Sequence, residues 1–136
     1  MSRINYTEDE DFPGQFDLWQ ANCDRSLKGR KGQRELHVLR EALLALPVKS
    51  LAYGVLETSD GEMCAIGVYA KYKGLDLSEL AIAFDSDEVG KIAGMPLLVA
   101  WKVMEMNDEY LGRVTSDERY EKMLAWVESL LAKAVR

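Results

Sequence analysis

One histidine among 136 residues removes a large share of ordinary active-site chemistry. Zinc sites and most nucleophilic triads need at least one imidazole with partners of defined type. His37 sits alone in a leucine-rich stretch and reads as a structural or surface residue. Neither GxxxxGK[ST] nor GxGxxG occurs, so the common glycine loops that cradle phosphates are missing. The two cysteines, Cys23 and Cys64, are far apart and form no CxxC or Cys/His pattern. A disulfide-stapled secreted scaffold is therefore excluded, and two free thiols in a reducing compartment are expected. Long apolar runs are also lacking. Runs such as Pro96 to Trp101 are far too short to cross a bilayer, and the N-terminal MSRINYTEDEDFPG is too polar for a signal peptide. The expectation is a cytoplasmic protein with no membrane association and no cofactor.

What is present suffices for a folded domain. Hydrophobic residues make up 48% of the chain, ordinary for a globular protein and too many for a disordered one. A chain of this length buries roughly two-thirds of the surface its unfolded state exposes. Residues 1–11 read as a polar arm, and 12–136 as a single helical domain without repeats or linkers. The net charge of −6 disfavours non-specific binding to phosphate backbones at the level of the whole molecule.

Apolar spacing predicts mainly α-helices in a compact, bundle-like arrangement. Asp11 and Pro13 suggest a helix entry, after which Phe16, Trp19, Cys23 and Leu27 share one stripe. Gly29 is a natural stop, and Gly32 precedes a second helix carrying Leu36, Leu39, Leu43 and Leu46 and ending at Pro47. The two would form a hairpin joined by a short glycine-containing loop. Two short helical segments are expected over 75–84 and 86–93. Pro96 opens a further helix with Leu97, Ala100, Trp101 and Met104 as its stripe, and its few charges predict deep burial. Thr115 and Glu118 have capping-box spacing ahead of a last helix with Tyr120, Met123, Leu124, Val127, Leu130, Leu131 and Ala134 on its seam. The stretch 51–72 fits either a hairpin turning at Ser59-Asp60-Gly61 or a short helix, and periodicity does not separate them.

Three groups of residues invite functional readings. Arg25, Lys28, Arg30, Lys31 and Arg34 place five cations within ten residues that hold no acid. They end at an expected helix N-terminus, where backbone N–H groups favour anions, so a phosphate or an acidic partner surface fits there as well as a solvated loop does. Glu105, Asn107, Asp108 and Glu109 offer hard oxygen ligands, but at no calcium-loop spacing. Capping or turning of the chain is the structural alternative. Cys64 would be activated at a helix N-terminus or inert if buried. Trp19, Trp101 and Trp126 lie on or beside apolar stripes and read as core.

Asp60-Gly61-Glu62-Met63-Cys64-Ala65-Ile66-Gly67, then Asn107-Asp108-Glu109, then Thr115 through Tyr120 to Trp126-Val127 resemble a group of small proteins of bacteria and their phages. That group carries "DGxxCAxGA", "NDE" and "TxEERW…WV" segments, and a first helix similar to GQFDLWQAN here. Val68 and Tyr120 depart from its pattern while keeping apolar character. The resemblance implies a predominantly helical fold, Cys64 near a helix start and a phage or prophage setting; it implies no activity. It is the reason for preferring helix over hairpin in 51–72. The functional expectation is a non-enzymatic accessory protein that binds another protein, such as a host or defence factor. Nucleic-acid association through the basic 25–34 stretch, or a small enzyme, are the alternatives. Self-association through the last seam is compatible with the pattern.

Overall fold

A computed structural model describes residues 15–76, 94–108 and 114–134. The expected arm, the 77–93 segments, Glu109 and the start of the first helix lie outside them. Regular structure among the described residues is helical: α1 (Gln15–Lys28), α2 (Arg30–Ala45), α3 (Ala65–Tyr72), α4 (Leu97–Asp108) and α5 (Ser116–Ala134). The chain is thus predominantly α.

α2 is the hub, packing on α1, α3 and α5, while α4 packs on α1, α3 and α5. Its leucine repeat explains this. Leu36, Leu39 and Leu43 are fully buried, and Leu46 packs against the core from the C-cap position. Pro47 disfavours helical geometry in the residue before it, and Leu46 is extended, with φ −62° and ψ 131°. Lys49 Nζ donates to the carbonyls of Leu44 and Leu46, satisfying acceptors that the helix end leaves open.

The expected glycine loop between the first two helices contracts to one residue. Gly29 alone joins α1 to α2, and Gly32 lies inside α2, buried. A Cβ on Gly32 would fall 2.0 Å from the Ser26 carbonyl oxygen, so its lack of a side chain lets the two helices meet. The basic 25–34 stretch is accordingly two helix ends rather than a loop.

The helical reading of 51–72 holds only from Ala65 onward. Residues 51–64 form an irregular loop with an isolated antiparallel bridge between Glu57 and Met63. Thr58 N–H donates to Glu62 O at 2.8 Å, and Cys64 N–H to Leu56 O at 3.0 Å. Gly54 and Gly61 take φ of 77° and 88°, a region that other L-residues avoid and that interrupts a helix here. Beyond this turn, α3 is buried from Ala65 through Ala70, and Gly67 permits contact with the Leu56 carbonyl.

Two further expectations meet the structure differently. The Thr115 box forms as its spacing predicts: Glu118 N–H donates to Thr115 Oγ1 at 3.2 Å, and Thr115 N–H to Glu118 Oε1 at 3.0 Å. The Thr115 N–H, and the Thr115 hydroxyl that also donates to Glu118 Oε1 at 3.1 Å, hold the Glu118 carboxyl below its ordinary range. Leu97, placed on the buried stripe of α4, is instead exposed at its first residue; the buried face runs through Val99, Ala100, Val103 and Met104. The buried face begins at Val99, two residues after Leu97.

Candidate functional site

The acidic group at the end of α4 is a structural tether. Asn107 and Asp108 have no solvent exposure. Asn107 Oδ1 accepts from Ala65 N–H at 3.1 Å, capping α3 from a distance, while its Nδ2 donates to Ala52 O at 2.9 Å and to Asp108 Oδ1 at 2.8 Å. Asp108 Oδ1 also accepts from Gly54 N–H at 3.0 Å. From the start of α5, the buried Arg119 donates to Leu51 O and Val114 O, each at 3.2 Å, and stacks 5.1 Å from the Tyr53 ring. An irregular loop carries backbone groups that no helix or sheet pairs, and these three side chains pair them. Arg119 had no sequence signal beyond its place in the last helix.

Glu105 belongs to a different neighbourhood. Lys102 Nζ lies 2.8 Å from Glu105 Oε1, and both residues are buried. Gln20 of α1 accepts from Lys102 and faces Glu105 through its Nε2 at 3.4 Å. Cys23 is fully buried beside them, and burial pushes its thiol up to about 11, opposed by Lys102 and reinforced by Glu105 and Asp24. Trp19 and Trp101 close the α1–α4 contact with ring centroids 5.9 Å apart. The charges neutralise each other inside an interhelical contact, so the group works as a polar clasp.

A third buried network joins α2 to α3. Tyr69 O–H donates to Glu35 Oε1, and Lys73 Nζ approaches both, 3.0 Å from the phenol oxygen and 3.4 Å from the carboxylate. Burial, then the hydrogen bond to Glu35, drives the Tyr69 hydroxyl far above its ordinary range. The pair is shielded and mutually satisfied, with no reactive proton directed at solvent.

The remaining candidates are simpler. Cys64 is the N-cap residue of α3 but has no solvent exposure, so burial removes it from attack. His37 is exposed on α2. Arg25, Lys28, Arg30, Lys31 and Arg34 are all exposed at the α1–α2 corner, where Arg25 also bonds the Asn22 side chain. They are brought together as the spacing suggests. Among the described residues, no group of three or more His, Cys, Asp or Glu is placed to hold a metal ion.

What the sequence did not point to is a surface cleft of about 520 Å³ between the end of α2, the 58–63 turn and the last turn of α3. Its floor is Ala42, Met63 and Val68, all buried. Its rim includes Val48, 69% exposed, and Tyr72, 49% exposed, with Pro47 between α2 and Val48. Asp60, Glu62 and Lys71 supply charge at the mouth. The volume lies within the range typical of ligand sites, about 300–1,000 Å³. No protein-family model, curated protein or solved structure matches this chain. The cleft is assembled from three stretches of sequence, 42–50, 60–63 and 68–72, which is why no local pattern announced it.

Proposed function

We propose that this chain is a non-enzymatic binding module and that the α2–α3 cleft receives a protein partner. The observation that carries the reading is an apolar floor that opens between two large exposed apolar side chains, Val48 and Tyr72. A partner side chain seated on Ala42, Met63 and Val68 would be desolvated at the centre, while Val48 and Tyr72 extend the apolar contact outward. That is the anatomy of an interface anchor: a buried centre with a polar rim. The acid–base and thiol groups named above support the same reading from the other side. Asp108, Glu105 and Glu35 are engaged in holding helices or the 51–64 loop together, and none of these three lines the cleft.

The test is a paired capture from the lysate of the native host, using the tagged protein and its Ala45→Trp variant, after nuclease treatment. Ala45 is an exposed residue lining the cleft, and an indole there fills it. The expected result is one near-stoichiometric protein recovered by the native chain and lost by the variant, with both showing the same helical circular dichroism. Recovery unchanged in the variant would remove the cleft from the account. Recovery that vanishes with nuclease would transfer the function to the basic corner.

A further inference from the structure

The mouth of the cleft is not electrically neutral, and its imbalance carries information about what it accepts. Asp60 and Glu62 line it against a single cation, Lys71. A third carboxylate stands alongside, because Glu41 Oε2 accepts from the hydroxyl of the rim residue Tyr72 at 3.3 Å. The other nearby cation, Lys49, is turned away: its ammonium donates to the Leu44 and Leu46 carbonyls and lies 5.8 Å from the Tyr120 ring. One cleft wall is the last turn of α3, where the helix dipole adds partial negative charge; at the end of α2 the Lys49 ammonium offsets the same effect. The chain as a whole carries −6, which strengthens attraction for a cation approaching from solution.

We infer that the cleft binds a peptide segment of a partner protein in which a large apolar side chain stands beside a lysine or arginine. This rests on the protein-binding reading above and deepens it. The apolar side chain fills the floor, where the unbranched Met63 adapts to its shape. The neighbouring cation stays at the mouth, within reach of Asp60 and Glu62 and still partly in water. In that position a charge contributes to orientation and on-rate without the penalty of full burial. An acidic segment would meet three carboxylates instead and is selected against.

Selection of short random displayed peptides on the full-length protein tests this directly. The expected outcome is a set of sequences with Lys or Arg beside Leu, Ile, Met or Phe. A synthetic peptide of that set should lose roughly three- to tenfold in affinity on the Asp60→Asn/Glu62→Gln protein, as expected for two exposed ion pairs. It should lose little on Asp17→Asn/Asp24→Asn, which removes the same net charge from exposed positions on α1, away from the cleft. Binding should weaken as salt screens the mouth, and should disappear in Ala45→Trp and in Val48→Asp, whose exposed position makes it harmless to folding. Peptides that need the open cleft, but show no basic preference and ignore Asp60 and Glu62, would overturn the charge inference and leave the protein-binding reading standing. Peptides indifferent to Ala45→Trp, an empty selection, or a cleft occupied by a second copy of the chain or by a small amphiphile would overturn both.

Discussion

At the scale of single residues, the cysteines show how environment decides chemistry. Cys23 has a lysine ammonium as a neighbour, yet desolvation, reinforced by the Glu105 and Asp24 carboxylates, outweighs it and raises the thiol from 9.0 to about 11. Raising a folded-state pKa stabilises the protein below the unfolded pKa, and the gain is lost as pH rises. Stability should therefore fall between about pH 9 and pH 11, where the unfolded thiolate forms while the folded thiol stays protonated. Chemical denaturation of the native chain and Cys23→Ala across this window checks it: the slope with pH should be smaller in the variant by up to one proton. Equal slopes would mean that Cys23 is solvated in the folded state. Cys23 was legible as part of an apolar stripe, whereas Cys64 was legible as inert or reactive only as alternatives, because no periodic pattern fixed its burial.

Elements differ in how far local pattern specifies them. The leucine repeat of α2 and the Thr115–Glu118 box of α5 act within one or two turns, so the sequence read them well. The 51–64 loop is the opposite case. Its conformation depends on Asn107, Asp108 and Arg119, which lie 42 to 68 residues away from the groups they bind. Asn107→Ala should strand the Ala65 N–H and the Ala52 carbonyl and cost about 2–6 kcal/mol, at about 1–3 kcal/mol for each of the two buried unsatisfied groups. Asn107→Asp keeps an acceptor for Ala65 but loses the donor to Ala52 and sets a carboxylate against Asp108. It should be at least as damaging at neutral pH and recover partly in acid, as one of the two carboxyls takes up a proton. Denaturant midpoints for the two variants at neutral and mildly acidic pH decide the matter. A variant as stable as the native chain would remove Asn107 from the tether.

For the whole molecule, two surfaces compete as contact sites: the cleft and the basic corner. The corner gathers five exposed cations, but on a body of charge −6, and the C-terminus of α1 sets the negative end of one helix dipole beside the positive end of α2. We expect fluorescence anisotropy to show no retention of duplex DNA or RNA at physiological salt, and any low-salt binding to vanish in Arg30→Ala/Lys31→Ala/Arg34→Ala. Retention at physiological salt that this triple variant abolishes would establish the corner as the contact. None of the helices described is long and apolar enough to cross a membrane.

The sequence by itself determined that the chain is predominantly helical, where α1 and α2 stop, where α4 and α5 start, and much of which stripes are apolar, because those features follow from spacing, proline and capping chemistry within a few residues. It also excluded the common histidine and glycine-loop chemistries. Only the tertiary structure decided that Glu35, Lys102, Glu105, Asn107, Asp108 and Arg119 are buried and partnered, and that 51–64 is a loop. The cleft belongs to the same class. Its floor and rim come from α2, the residues after it, the 58–63 turn and α3, and its shape exists only once long-range hydrogen bonds have fixed these pieces against one another.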